Sequence, residues 1–173
     1  MTPTKQRYLQ LCHTQSDIQH HLPLLYSLAR GNVVELGTRT GVSTAALLAG
    51  VEDRGGHVWS VDIDPCGHLF EGHPQWTFRQ GDSRYPTQLW NYNEEPKGFV
   101  DFILIDTEHT VEMVSAELAA WADAVRPGGT ICIHDTETFP GVRRAITGFC
   151  DARGWSVTYV LPCNGMAVIE VPG

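Results

Sequence analysis

The chain has 173 residues, 42% of them hydrophobic and 18% charged, which fits one domain with a genuine core and excludes a disordered or fibrous protein. Asp and Glu outnumber Lys and Arg by 20 to 12, giving a formal charge of −8; with no basic block in the sequence, binding along a nucleic-acid backbone is excluded as the main activity. The five cysteines, Cys12, Cys66, Cys132, Cys150 and Cys163, contain no C-x-x-C pair, and no stretch approaches the ~20 apolar residues of a membrane span or an N-terminal signal, so a reducing, cytoplasmic location is expected.

In chain order, Ser16-Asp17-Ile18 and the run behind it read as a capped amphipathic helix over 18–29. A strand follows at 33–36, a helix at 42–50, and a strand at 58–63, while the polar segment 64–75 carries no period. The run at 99–105 reads as a strand, 111–125 as the longest helix, and 130–133 as the next strand, entered through Arg126-Pro127-Gly128-Gly129. A helix over 142–152 precedes two strands, 156–161 and 166–171, whose Pro162-Cys163-Asn164-Gly165 connection is a hairpin signal. Strand and helix alternation predicts a doubly wound, mostly parallel α/β sheet with helices on both faces and a C-terminal antiparallel hairpin. With no repeat or linker, residues 1–173 form one domain, with 1–30 as an N-terminal covering region. The five tryptophans, Trp90 included, show no spacing of a stacking platform and are expected in packing roles.

The first informative motif is VVELGTRTGVST, residues 33–44, a strand, a glycine turn and a helix start. Gly37 permits a sharp turn with close ligand approach, and Gly41 lets the helix pack beneath it; such turns lie at the carboxyl ends of strands, where open α/β sheets bind ligands. Asp62 ends the next strand and can accept hydrogen bonds from both hydroxyls of a ribose. Thr38 and Arg39 occupy the place where a dinucleotide fingerprint carries its second glycine, so a nucleoside without a pyrophosphate fits better. E-x-G-x-x-x-G followed by an acid resembles the first signature of class I S-adenosylmethionine-dependent methyltransferases. The resemblance runs from about Ser16 to the C-terminus and implies a Rossmann-like, seven-stranded sheet. It also implies donor contacts from Glu35, Gly37, Thr38, Gly41 and Asp62, with Asp82, Ser83 and Asp106 completing the donor site, the first two near the adenine.

The second informative region is DFILIDTEHTVEM, where an apolar strand delivers Asp106 to its end and His109 follows; the next strand ends in His134 and Asp135. Two carboxylates and two imidazoles at neighbouring strand ends suit a metal clamp and a general base. The pattern resembles that of magnesium-dependent O-methyltransferases acting on sugars and natural products, with the cephalosporin hydroxylase-like group among them. In that group the acid of D-x-x-H binds metal, its histidine is the base, and an acidic pair after the next strand completes the site. Asp106 and His109 match the D-x-x-H and Asp135 the second acid of the pair, while His134 stands where the first acid belongs. The resemblance therefore implies methylation of a small hydroxylated molecule, with Asp106 and His109 catalytic and Asp106, Asp135 and His134 holding Mg2+ or Mn2+. Glu137 is a further candidate carboxylate, and Ser16, Asp17 and His21 are candidates to touch the donor. The 139–144 segment could border the acceptor, with Arg143 and Arg144 as surface charges. A partner protomer is a candidate wall of the acceptor pocket.

Structural alternatives accompany these roles. For Gly37 and Gly41 the alternative is a role in the turn alone, for Asp106 a cap on the helix behind it, for Asp82, Ser83, His109 and Asp135 a place as plain loop residues, and for His134 a packing role. Two other functions also stay open: a non-catalytic protein that senses or sequesters the nucleoside, and, less well fitted, a dinucleotide oxidoreductase.

Overall fold

A computed structural model describes residues 1–89 and 100–173. Seven strands form one sheet: β1 Gly31–Leu36, β2 Gly56–Asp62, β3 Trp76–Gln80, β4 Val100–Ile105, β5 Val125–His134, β6 Thr158–Val160 and β7 Met166–Glu170. Their order is β3-β2-β1-β4-β5-β7-β6. The first five are mutually parallel, and β7 runs antiparallel to both β5 and β6. The direction of winding reverses between β1 and β4, which opens a crevice outside their carboxyl ends.

Side-chain alternation along the buried strands divides the core in two. Val34, Leu36, Ile103, Ile105, Ile131 and Ile133 face α5 (Val111–Trp121) and α6 (Pro140–Arg153). Val33, Val58, Phe102, Leu104 and Cys132 face the other layer, built by α1 (Pro3–Leu11), α2 (Leu22–Leu28) and α3 (Val42–Arg54).

Several elements differ from the sequence expectation for local reasons. The expected 18–29 helix is a 3-10 turn, Gln19–His21, followed by α2, because Pro23 occupies the first turn, where a missing N–H costs nothing. Its N-cap is His21 without a side-chain bond, so Ser16 and Asp17 do not cap it. The helix expected over 111–125 ends at Trp121 and tightens into a 3-10 turn, Ala122–Ala124. Pro127-Gly128-Gly129 lies within β5 as an irregularity in its pairing with β4, not before the strand. The strand β3, helix α1 and the short helix α4 (Pro86–Leu89) lacked a readable period. Phe99, expected in the fourth strand, and Trp90 lie outside the described residues. Of the other tryptophans, Trp121 is buried and Trp59, Trp76 and Trp155 are half-buried. The hairpin forms as expected, and no helix among the described residues is long and apolar enough to cross a membrane.

Glu35 has no exposed surface and lies in β1 between two neighbouring elements. Its carboxylate accepts from Ser43 Oγ at 2.6 Å and Thr44 Oγ1 at 2.8 Å, both in the first turn of α3, and from Ser60 Oγ of β2 at 2.6 Å. Burial pushes its pKa up to about 7, and the three hydroxyls oppose that rise. Glu35→Ala strands three buried hydroxyls and is expected to lower unfolding free energy by about 3 kcal/mol, against about 1 kcal/mol for Glu35→Gln, read from denaturant melts.

Candidate active site

The sheet hydrogen bonding continues past the strand ends and fixes three loops around the crevice. Gly37 N–H donates to the Val61 carbonyl at 2.9 Å, Asp106 N–H to the Leu36 carbonyl at 2.8 Å, and Gly81 N–H to the Asp62 carbonyl at 2.8 Å. Gly37 has φ +93°, and a Cβ there would stand 1.9 Å from the Asp106 carbonyl oxygen. Glycine is thus required by contact between the first and fourth strand ends as well as by the turn. Arg39, also left-handed at φ 47°, directs its N–H toward Asp62, whose Oδ2 accepts from both Thr38 N–H and Arg39 N–H at 2.8 Å. Arg7 of α1 clamps the turn from outside through the Thr40 carbonyl at 2.9 Å.

Two cavities open on this turn and share Gly37, Arg39, Asp106 and Thr107. One, of about 360 Å3, adds Asp62, Ile63, Gly81, Ser83 and Met113. The other, of about 370 Å3, adds Asp17, Thr38, Ser43, His109 and Asp135. Gly41, the left-handed N-cap of α3, lies behind the turn against Phe70 and Leu69. Of the residues expected at a donor, Gly37, Thr38, Asp62, Ser83 and Asp106 therefore reach the crevice. Glu35 does not; it lies wholly buried beneath the turn. Asp82 pairs with Arg84 at 2.6 Å, and that guanidinium holds its carboxyl below the usual range.

The cluster of acids and imidazoles assembles at the mouth of the second cavity. His109 Nε2 lies 2.6 Å from Asp135 Oδ2 and 3.9 Å from Asp106 Oδ1. His134 Nδ1 lies 3.3 Å from Asp106 Oδ1 and 3.4 Å from Asp135 Oδ2. Asp106 and Asp135 together push His109 up to about 9. Burial opposes charge on His134, yet the same two carboxylates outweigh it and push the imidazole up to about 10. Both histidines in turn hold Asp106 and Asp135 low against the effect of burial. Asp106 does not cap α5, whose N-cap is Thr110.

The cluster also has features of a cation site. Asp106, His134 and Asp135 each offer an atom within 4.8 Å of the others. His134 Nε2 donates to the Cys163 carbonyl at 2.9 Å, an acceptor-only partner, so in the neutral ring the Nδ1 lone pair faces the two carboxylates. Asp135 Oδ1 is buried without a partner. These residues fit a divalent cation, though nitrogen in place of one carboxylate suits manganese better than magnesium. Glu137 is not among them; it pairs with Arg143 at 2.5 Å. Phe139 stacks on the His109 ring at 4.3 Å, so the 139–144 segment packs beside the cluster, while none of its residues lines the second cavity. His21 is buried edge-on to His134, with ring centroids 5.5 Å apart, and Asp17 lines the second cavity.

Arg39, Thr107 and Glu117 enter the site without having been expected. Glu117 had a readable signal, a carboxylate on the apolar stripe of α5 with Val114, Leu118 and Trp121. Burial pushes it up to about 7, opposed by the Ser83 and Thr107 hydroxyls.

Residues 34–136 match a family model described as a methyltransferase domain. No curated protein matches the sequence. Solved structures share the fold at low identity. A Corynebacterium glutamicum protein is 13% identical with a TM-score of 0.74, over 100% of this chain and 91% of its own. An O-methyltransferase from Bacillus cereus, in complex with S-adenosylhomocysteine, is 20% identical with a TM-score of 0.71, over 98% of this chain and 91% of its own. The MycE methyltransferase of mycinamycin biosynthesis, in complex with Mg, S-adenosylhomocysteine and mycinamycin VI, is 16% identical with a TM-score of 0.68; the match covers 99% of this chain and 54% of that one.

Gly37→Ala is expected to cost about 3 kcal/mol or more of stability, because the methyl meets backbone and the residue keeps a left-handed φ. A thermal melt within a degree of the parent protein would contradict the contact.

Proposed function

The chain belongs to this methyltransferase-domain family, and from that premise we propose that it moves the methyl group of S-adenosylmethionine to a hydroxyl of a small polyhydroxylated acceptor, a sugar or another natural product. The observation that carries this reading is the pair of cavities joined at Gly37, Arg39, Asp106 and Thr107. One ends at Asp62, a carboxylate suited to ribose hydroxyls; the other ends at His109 and Asp135, a base and its partner. Their shared wall is where a methyl carbon must sit, in line between the donor sulfur and the acceptor oxygen.

In this reading Asp62 and the 37–39 turn hold the donor, while the buried, unpartnered Thr38 Oγ1 lies on the acceptor side. The polar side chains Asp17, Thr38 and Ser43 orient the acceptor's hydroxyls, and a second copy of the chain is a candidate for the open side. Neutral His109 takes the hydroxyl proton, and Asp135, 2.6 Å from its Nε2, stabilises the imidazolium that forms. Asp106, His134 and Asp135 would hold a manganese or magnesium ion, which when bound supplies Lewis acidity to lower the hydroxyl's pKa. The activity is that of a cytoplasmic enzyme on small molecules, with neither nucleic acid nor membrane as partner.

S-adenosylhomocysteine is expected to raise the melting temperature by several degrees, since ligand at 100 times its Kd adds about 2.7 kcal/mol. No shift, with stabilisation by NAD instead, would sink the reading.

The proton-accepting form of His109 is the neutral one. Because its two carboxylate neighbours raise its pKa, kcat/KM without added metal is expected to rise with pH through about 9. Asp135→Asn removes one of those neighbours and should move the limb downward, as should saturating manganese, which takes up the same carboxylates. A limb indifferent to both would remove His109 from the role of base.

A further inference from the structure

His109 sits on the loop between β4 and α5 with 30% of its side chain exposed, and two carboxylates compete for its ring, Asp135 at 2.6 Å from Nε2 and Asp106 at 3.9 Å. An imidazole so placed has rotamer freedom to lose, whereas a proton acceptor works from one orientation. Phe139 supplies a restraint. Its ring stacks on the imidazole with centroids 4.3 Å apart and planes 21° from parallel. The loop 135–139 also carries Asp135, and the Phe139 N–H closes it by donating to the Asp135 carbonyl at 3.2 Å. The hairpin tip braces the same loop, with Glu137 N–H donating to the Asn164 carbonyl at 2.7 Å. The start of α6 packs on the backbone beneath, where a Cβ on Gly141 would stand 3.3 Å from the His109 carbonyl oxygen and the Val111 nitrogen. Phe139 is 37% exposed and takes no part in either core layer, so its contact with His109 is not a by-product of core packing.

We infer that Phe139 is a positioning residue for the base: by covering one face of the imidazole from the loop that also carries Asp135, it holds His109 against Asp135 and away from Asp106. Asp106 Oδ1 then stays with His134, 3.3 Å from its Nδ1. A stack suits this task because it restrains the ring through its face and occupies neither nitrogen, both of which lie in the ring plane. Aim matters here, since a misplacement of about 1 Å costs a reacting group on the order of 100-fold in rate. The inference rests on the role proposed for His109 and adds the means by which its ring is aimed.

The test is nuclear magnetic resonance of the full chain carrying isotope-labelled histidine, in which the His109 signals are those lost in His109→Gln. In the parent protein the three-bond couplings about χ1 of His109 are expected to report one rotamer, with the ring protons moved upfield by Phe139. Phe139→Leu keeps an apolar side chain without an aromatic face. The upfield shift then vanishes, and the ratio of the favoured rotamer to the others is expected to fall by about threefold to tenfold, the worth of an aromatic stack. Phe139→Tyr should restore both the shift and the single rotamer. A Phe139→Leu protein that loses only the upfield shift and keeps the parent's couplings overturns the inference, because Phe139 would then pack on His109 without aiming it. Averaged couplings in Phe139→Tyr would overturn it as well. If Phe139→Leu fails to melt cooperatively, Phe139→Met takes its place in the same measurement. The role of His109 as base stands or falls separately, on the pH limb of kcat/KM, and the donor assignment on the binding of S-adenosylhomocysteine, neither of which alters the couplings of the parent protein.

Discussion

The site depends first on the carboxylate of Glu35. A buried anion is costly unless every lone pair that matters meets a donor, and here the donors come from the start of α3 and from β2. That requirement fixes how far the helix stands from β1 and so sets the span of the 37–41 turn between them. Ser60 is itself held by the Trp76 indole at 2.9 Å, which extends the constraint across β2 to β3. Glu117 repeats the device on the opposite side of the crevice, with hydroxyls from two loops in place of a strand and a helix. Two neutral-to-anionic carboxyls, each raised to about 7, thus brace the donor cavity from below without touching its contents.

The charged cluster at the other cavity is arranged in the reverse way. Asp106 and Asp135 lie close together, a placement that on its own would favour protonation of one of them. His109 and His134 supply the compensating positive charge, so the four groups are balanced as they stand. A divalent cation would take over that compensation and release the imidazoles from it, which couples metal occupancy to the availability of a neutral His109. Asp135 adopts φ 66° to reach this arrangement, a backbone state that aspartate tolerates better than most residues.

Much of this was legible because it is written in local pattern. The buried strands announced themselves by apolar runs, the turn by Gly37 and Gly41, and the hairpin by Asn164-Gly165. The strand ends carried Asp62, Asp106 and Asp135 to the crevice because parallel strands all deliver their last residues to one side. What stayed hidden depends on pairing across the chain. The strand β3 has a half-exposed edge position and no apolar run, so only its ladder with β2 identifies it. Glu35 read as a ligand contact because its motif is shared with ligand-binding turns, whereas its burial follows from Ser43, Thr44 and Ser60 converging on it. Arg39 and Thr107 have no local signal at all; they line both cavities only because the β1 and β4 ends touch.

The two halves of the crevice are built from different materials, and this bears on how they can vary. The donor cavity is bounded by strand ends locked in register, while the acceptor side leans on segments from opposite ends of the chain. Cys163, at the hairpin tip, joins these segments: its thiol accepts from His20 N–H at 3.4 Å and contacts the Ser16 carbonyl at 3.8 Å, while its own carbonyl receives His134 at 2.9 Å. The orientation of the buried imidazole therefore depends on the docking of the N-terminal segment against the hairpin and not on the sheet. In the proposed reading, acceptor recognition can change through these two surface segments while the donor cavity keeps its geometry, because the hydrogen bonds that Ser43, Thr44, Ser60, Ser83 and Thr107 make to Glu35 and Glu117 come from the sheet, α3 and the strand-end loops.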